Sequence, residues 1–176
     1  LARRMESMPD TKFDASAYWK ERLDEHFDLT GVGYLRRSKA FNRWVYRVRT
    51  ELLDETFKQQ NWPLEGRAIL DVGCGTGYFI DHWLRRQARP VVGVDVTEVS
   101  IKRLADRFNE ARFHQADLGS QDFEVAGQFD YVSIFDVLYH IVDDRRFEQA
   151  VQNLSQLCRK GSKVIITDLF GKRSAQ

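Results

Sequence analysis

Cysteine is scarce in this chain. Cys74 and Cys158 are the two in 176 residues, and neither sits in a CxxC pair or beside a His/Cys cluster. That excludes a disulfide framework and a structural zinc, and it points to reduced thiols and the cytoplasm. Long apolar runs are missing too: nothing approaches the ~18 consecutive apolar residues that a spanning helix needs, so no membrane is expected. The first thirty residues, charged at Arg3, Arg4, Asp10, Lys12 and Asp14, hold no signal-peptide core. A dominant charge is absent as well. Lys plus Arg number 27 against 26 for Asp plus Glu, a net charge of +1, so no global field holds a polyanion and a nucleic-acid partner is disfavoured without a local patch. No repeat or low-complexity tract appears, and the chain starts at Leu1 rather than Met, which leaves room for a preceding segment.

What is present is the composition of one globular domain, 43% hydrophobic and 30% charged. From residue 67, β-rich runs at 67–72, 91–95, 112–115, 129–135 and 163–169 alternate with helical patterns. That rhythm predicts an α/β fold, a doubly wound, Rossmann-like parallel sheet of order 3-2-1-4-5 with its ligand where strands 1 and 4 part. Ile101, Leu104, Ala105 and Phe108 follow a helical period after an N-cap at Thr97. Phe147, Ala150, Val151, Leu154 and Cys158 do the same, with Gly161 as the stop. Residues 1–66 read as an N-terminal helical cap or lid, with helices near 14–28 and 38–60, packed on a core of residues 67–176. In the second helix Phe41, Trp44, Val45, Val48, Leu52 and Phe57 are expected to form the core-facing stripe.

The most informative stretch is Ile69-Leu70-Asp71-Val72-Gly73-Cys74-Gly75-Thr76-Gly77-Tyr78-Phe79, a buried strand passing through three alternating glycines into a helix. Glycines there allow a sharp turn and close ligand approach, and N–H groups at the helix start are expected to face an anionic group. A dinucleotide fingerprint needs its third glycine where Tyr78 stands, so NAD is disfavoured. No Gly-Lys-Ser/Thr follows, so a phosphate P-loop is disfavoured too.

On these residues the sequence resembles the class I S-adenosylmethionine-dependent methyltransferases, whose first motif has the form hhDhGxGxG. The likeness covers about residues 67–170: VVGVDVTEVSIKRL, FHQADL, FDYVSIFDVLYHI and LCRKGSKVIITDL follow in the family's order, and the strand 4 and 5 motifs look like those of quinone-pathway and natural-product enzymes. It implies S-adenosyl-L-methionine as cofactor. Asp95 would take the ribose hydroxyls, since a carboxylate there can accept both protons. Asp117 would take the adenine amino group between Val96 and Leu118. Asp71, Gly73, Cys74, Gly75 and Gly77 would surround the methionine end, with Phe135 at the close of strand 4. Each has a structural alternative. Asp95, Asp117 and Asp71 can cap a helix or a turn, and Cys74 can be a small side chain tolerated in a tight loop.

Transfer from a sulfonium needs mainly an aligned acceptor and, for a hydroxyl, a base. His140, with an ordinary pKa near ~6.5, is the first candidate, then Tyr139 and Asp136; His140 has a structural alternative. No Asp/Asn-Pro-Pro-aromatic tetrapeptide follows strand 4, and neither cysteine neighbours a proline, which excludes amino-methylating DNA enzymes and RNA cytosine C5 enzymes. Asp168 precedes Leu169 rather than Asn, so no metal is expected. Arg36, Arg37, Lys39, Arg43, Arg47 and Arg49 form a cationic run that either draws an anionic substrate or is a solvated face paired with Glu51, Asp54 and Glu55. Tyr18, Trp19 and Tyr34 are candidate lid aromatics or core residues.

The resulting expectation is a methyltransferase acting on an O or N atom of a small-molecule acceptor. The alternatives are an RNA or protein methyltransferase using basic helix 36–49, and a non-catalytic cofactor-binding scaffold. The family sheet ordinarily continues into a C-terminal β-hairpin, and this sequence ends at Gln176. The hairpin is therefore expected to be absent and Val164 to Thr167 to form an apolar edge, covered by a dimer partner or an adjacent domain.

Overall fold

The computed structural model describes residues 14–167. Two helices, α1 (Ala15–Glu25) and α2 (Lys39–Gln59), precede β1 (Ile69–Val72), α3 (Tyr78–Arg85), β2 (Val91–Asp95), α4 (Glu98–Arg107), β3 (Ala111–Gln115), β4 (Phe129–Phe135), a 3-10 turn at Leu138–His140, α5 (Asp144–Leu157) and β5 (Cys158–Thr167). The strands form one parallel sheet of order β3-β2-β1-β4-β5. β1 and β2 are buried at every position, as expected for central strands covered on both faces. Ile69, Val91 and Tyr131 point to a core shared with α2, α3 and α4, around Phe57 and Trp83. Leu70, Val92, Val94, Val132 and Ile134 point to the other, closed by Ala150, Leu154 and Leu157 of α5. Each fully buried side chain of this kind contributes about 1.5–3 kcal/mol.

Two details differ from the sequence reading. In α2 the inward residues are Asn42, Tyr46, Leu53 and Phe57, while Trp44 and Leu52 are 52% and 63% exposed. The cause is Asn42, a polar residue with its amide fully used. It accepts from Tyr34 N (2.7 Å) and donates to the carbonyls of Tyr34 (3.0 Å) and Ser38 (3.1 Å), which holds its face of the helix against the preceding turn and leaves Trp44, two residues on and so about 200° around the helix, facing out. Second, α5 ends at Leu157 rather than at Gly161. Cys158 is already extended and pairs with Phe129, and Gly161, at φ +93°, sits inside β5 where the register slips before Tyr131 meets Lys163. β5 is one of the sheet's two edges among the described residues, β3 being the other, with Val164 and Ile166 42% and 39% exposed. Asp168 and Leu169, the pair weighed above for metal binding, lie outside the described residues.

Gly77 has a role in packing. Its φ is +78°, and a Cβ there would lie 2.5 Å from Leu104 Cδ2 and 2.9 Å from Phe108 Cε2, so it lets α3 start against α4. Gly77→Ala should cost about 2–5 kcal/mol from backbone strain and overpacking together, read as a lower urea midpoint with unchanged slope. A loss under about 0.5 kcal/mol would show that α4 yields freely.

Asp71 stands between Gly93 of β2 and Ser133 of β4, and Ser133 Oγ donates to its Oδ1 at 2.6 Å. Burial raises its carboxyl pKa to about 7; the Ser133 bond pulls it down and the nearby Asp95 pushes it up. An acid whose pKa is higher in the folded than in the unfolded chain (~3.9) imposes no penalty while both states are protonated. Stability then falls as pH rises from about 4 to about 7, by up to about 4 kcal/mol, and levels off above. Asp71→Asn keeps an acceptor for Ser133 and removes the charge, so it should be more stable than wild type at pH 8 and flatter between pH 4 and 7 in urea titrations. Equal stability at pH 8 would show the ionised form to be compensated.

Candidate functional site

A cavity of about 700 Å³ opens where β1 and β4 part, at the strands' C-terminal ends. Its floor is the turn after β1. Gly73 and Gly75 take φ of +73° and +50°, and a side chain on either would collide with Val137 or Val32 respectively. Gly73 N and Cys74 N donate to Val94 O (2.7 and 3.0 Å), Gly77 N to Cys74 O (2.8 Å) and Gly75 N to Asp95 Oδ2 (2.9 Å). These four N–H groups are therefore spent inside the protein, where they hold the turn against β2. Cys74 is buried, and loss of water pushes its thiol pKa well up, with Asp95 and Asp71 adding to the effect. It is a small side chain in a tight turn.

Asp95 closes β2 and lines the cavity. Its Oδ1 accepts from Thr97 N (2.9 Å) and Thr97 Oγ (2.6 Å), and Thr97 Oγ also bonds Ser100 Oγ (2.9 Å). Desolvation raises its pKa, against the pull of the Thr97 and Gly75 bonds. With about two acceptor positions per oxygen, Oδ1 is filled and Oδ2 retains one. Thr97 is the residue before α4, but its side chain makes no cap bond because it is turned to Asp95.

Asp117, Val96 and Leu118 line the end beside β3. Asp117 does cap its turn, Oδ1 accepting from Gly119 N at 2.9 Å, and its other oxygen is paired with Arg146 of α5. Buried Asn153, also on α5, donates to Leu118 O (2.7 Å) and Ser120 O (2.8 Å) and fixes this wall.

At the opposite end Phe135 packs on Phe79 at 4.3 Å, and Asp136 takes φ +58°, a conformation that costs a non-glycine residue of order 1–3 kcal/mol. Asp136 is over-determined. Its N–H donates to Thr167 O (3.0 Å), its Oδ1 accepts from Thr167 Oγ (3.1 Å), and its Oδ2 pairs with Arg49 at 2.5 Å. Tyr139 and His140 line the cavity from the 3-10 turn, with His140 edge-on to Trp19 of α1 at 5.1 Å. Of the expected lid aromatics, Trp19 alone is part of the wall; Tyr18 and Tyr34 are exposed elsewhere. Asp71 lies behind the turn, buried against Ser133, and Gly77 packs on α4, so neither forms the lining. The cavity does gather Gly73, Cys74, Gly75, Asp95, Val96, Asp117, Leu118, Phe135, Asp136, Tyr139 and His140. Sequence reading gave no site role to Tyr46, placed Arg49 only in the cationic run of residues 36–49, and missed Arg146. The signal for the first two was their spacing of three with Asn42 four before Tyr46, which sets one helix face; nothing local singles out Arg146. Among the described residues no cluster of three or more His, Cys, Asp or Glu could hold a metal ion, and no helix is long and apolar enough to cross a membrane.

The chain is similar to proteins named tRNA U34 carboxymethyltransferase. That from Alteromonas mediterranea is 29% identical over 167 residues, 85% of this chain and 49% of that protein. That from Mannheimia succiniciproducens is 34% identical over 116 residues, 61% of this chain and 34% of that protein. The chain thus spans half or less of the length of these relatives. Among solved structures, the DhpI-SAM-HEP complex superposes with a TM-score of 0.65 at 23% identity, covering 89% of this chain and 65% of the other. The N-methyltransferase NodS from Bradyrhizobium japonicum, in complex with S-adenosyl-l-homocysteine, gives 0.62 at 18% identity, covering 85% and 72%. Both share the fold. Residues 69–161, more than half of the sequence and the part that builds the cavity floor, match the family described as a methyltransferase domain, and the chain belongs to that family.

Proposed function

We propose that the chain binds S-adenosyl-L-methionine and transfers its methyl group to an O or N atom of a small-molecule acceptor. The observation that carries this reading is the convergence on one cavity of the glycine turn, the Asp95 carboxylate bonded to that turn, and the Trp19, Tyr139, His140 and Asp136 group opposite. The cofactor fits the donor set. Asp95 Oδ2 has one acceptor position left for a ribose hydroxyl, Asp117 has one on each oxygen for the adenine amino group, and Val96 and Leu118 are apolar walls for the base. Arg49 supplies a cation, with donors beyond the one used on Asp136, for the methionine carboxylate. When bound, S-adenosylmethionine supplies a methyl group already activated on a sulfonium.

The protein's part is then alignment and proton removal. Trp19, Tyr139 and Phe135 exclude water around the acceptor and hold its nucleophilic atom in line. His140 takes the acceptor's proton as the new bond forms and the carbon–sulfur bond breaks. Asp136, occupied by Arg49 and Thr167, positions Arg49 rather than acting as the base. The two free thiols suit a reducing cytoplasm. A second reading places the acceptor group on an RNA. It is favoured by the name of the relatives, tRNA U34 carboxymethyltransferase, and by the cationic run from Arg36 to Arg49, which contains no acidic residue.

Calorimetry with S-adenosylhomocysteine tests the cofactor assignment. Asp95→Ala should weaken binding by about 1.5–3 kcal/mol, roughly ten- to 150-fold, and NAD should not bind at all. Equal affinity in both variants would remove Asp95 from the site. With an identified hydroxyl acceptor, His140→Asn should lower kcat by about 10²-fold or more while sparing cofactor affinity. An unchanged kcat would return His140 to a packing role against Trp19.

A further inference from the structure

The outward stripe of α2 is not used by the cavity. Tyr34, Phe41 and Trp44 form a ladder of rings, with centroids 5.8 Å apart between Tyr34 and Phe41 and 6.0 Å between Phe41 and Trp44. Tyr34 and Trp44 are about half exposed, and Arg37 lies over the Phe41 ring at 5.5 Å. The surrounding cations are unevenly committed. Arg49 turns inward to Asp136, Lys39 meets Asp28 at 3.0 Å and Arg47 meets Glu51 at 3.7 Å. Arg36 and Arg43 are exposed and have no ion pair among the described residues. A chain of net charge +1 thus concentrates six cations and no acid between residues 36 and 49.

Half-exposed rings, here Tyr34 and Trp44, beside guanidinium groups are the two components that hold an unpaired nucleic-acid strand, bases stacking on the rings while phosphates meet the cations. A duplex hides its base faces and would leave the rings unused. An anionic membrane is a plane and would lie along the whole helix, against exposed Glu51 and Glu55, which stand seven residues on from Trp44 and Val48 on the same side. A second copy would set one cationic patch against another. A strand can occupy the N-terminal half of α2 and avoid both penalties. The geometry points to Tyr34, Phe41 and Trp44, flanked by Arg36, Arg37 and Arg43, as a docking surface for single-stranded RNA. The choice of RNA over DNA rests on the second reading above; docking itself does not depend on which acceptor the cavity methylates.

Fluorescence anisotropy of a short labelled oligouridylate with the full chain, at about 50 and 200 mM salt, tests this. Binding should weaken with salt, and Arg36→Ala and Arg43→Ala should each reduce the log–log salt slope by roughly 0.7. Trp44→Ala should weaken binding about five- to 100-fold at either salt concentration. All three variants should bind S-adenosylhomocysteine as wild type does, since none touches the cavity. No binding at 50 mM salt, or a Trp44→Ala variant that binds equally well, overturns the proposal. So does Trp44-dependent binding to phosphatidylserine vesicles tighter than to the oligonucleotide, or a dimer in sedimentation that Trp44→Ala dissolves. Equal affinity for oligodeoxyuridylate overturns the choice of RNA. Wild type that binds the oligonucleotide but not S-adenosylhomocysteine would defeat the cofactor reading and leave the docking surface standing.

Discussion

A single buried carboxylate ties the halves of the site together. Asp95 receives the Gly75 N–H from the turn after β1 and the Thr97 N–H and hydroxyl from the start of α4. Burying a charge without such partners costs several kcal/mol, and here three donors from two segments offset part of it. The turn therefore cannot relax away from β2 without stranding the carboxylate. This is why the glycine backbone, with its left-handed residues, holds one shape while presenting its surface to the cavity. Asp71 sits one strand away with one hydroxyl for a partner, and burial raises its pKa as it raises that of Asp95.

The cavity itself is a product of topology. β1 sends its chain to α3 and β2 on one side, while β4 lies on its other side and sends the chain to α5 and β5, so the loops leave a gap at the carboxyl ends. Everything brought to that gap comes from strand ends or from the N-terminal helices, which explains how residues as distant in sequence as Trp19 and His140 come into ring contact.

Legibility in the sequence followed burial and locality. β2 and β4 were bounded correctly because central parallel strands are mostly apolar and are flanked by turn residues, and the sheet order followed from handed crossovers. The face of α2 was misread because its buried side is marked by Asn42 and Tyr46, whose polar atoms bond to the turn before the helix, a partner that hydrophobic periodicity does not see. Gly161 looked like a helix stop because left-handed glycine serves both helix ends and strand irregularities. The partners of Arg49 and Arg146 were out of reach for a different reason. Their roles are ion pairs with Asp136 and Asp117 across the fold, and long-range pairing leaves no local pattern.

The turn at residues 30–33 is bound on every side. Arg22 donates to the carbonyls of Thr30 and Gly33, Tyr46 donates its hydroxyl to Val32 O at 3.2 Å, and Val32 stands where a side chain on Gly75 would have to go. On the ribosome this segment emerges well before the strand it must meet. Until β1 and its glycine turn arrive, Leu53 and Phe57 have no sheet to cover them and Val32 has no floor to rest on. The nascent N-terminal helices thus wait with apolar surface open, the interval in which a chaperone would find them. Closure of the cavity floor and protection of those helices are one event in the life of the chain.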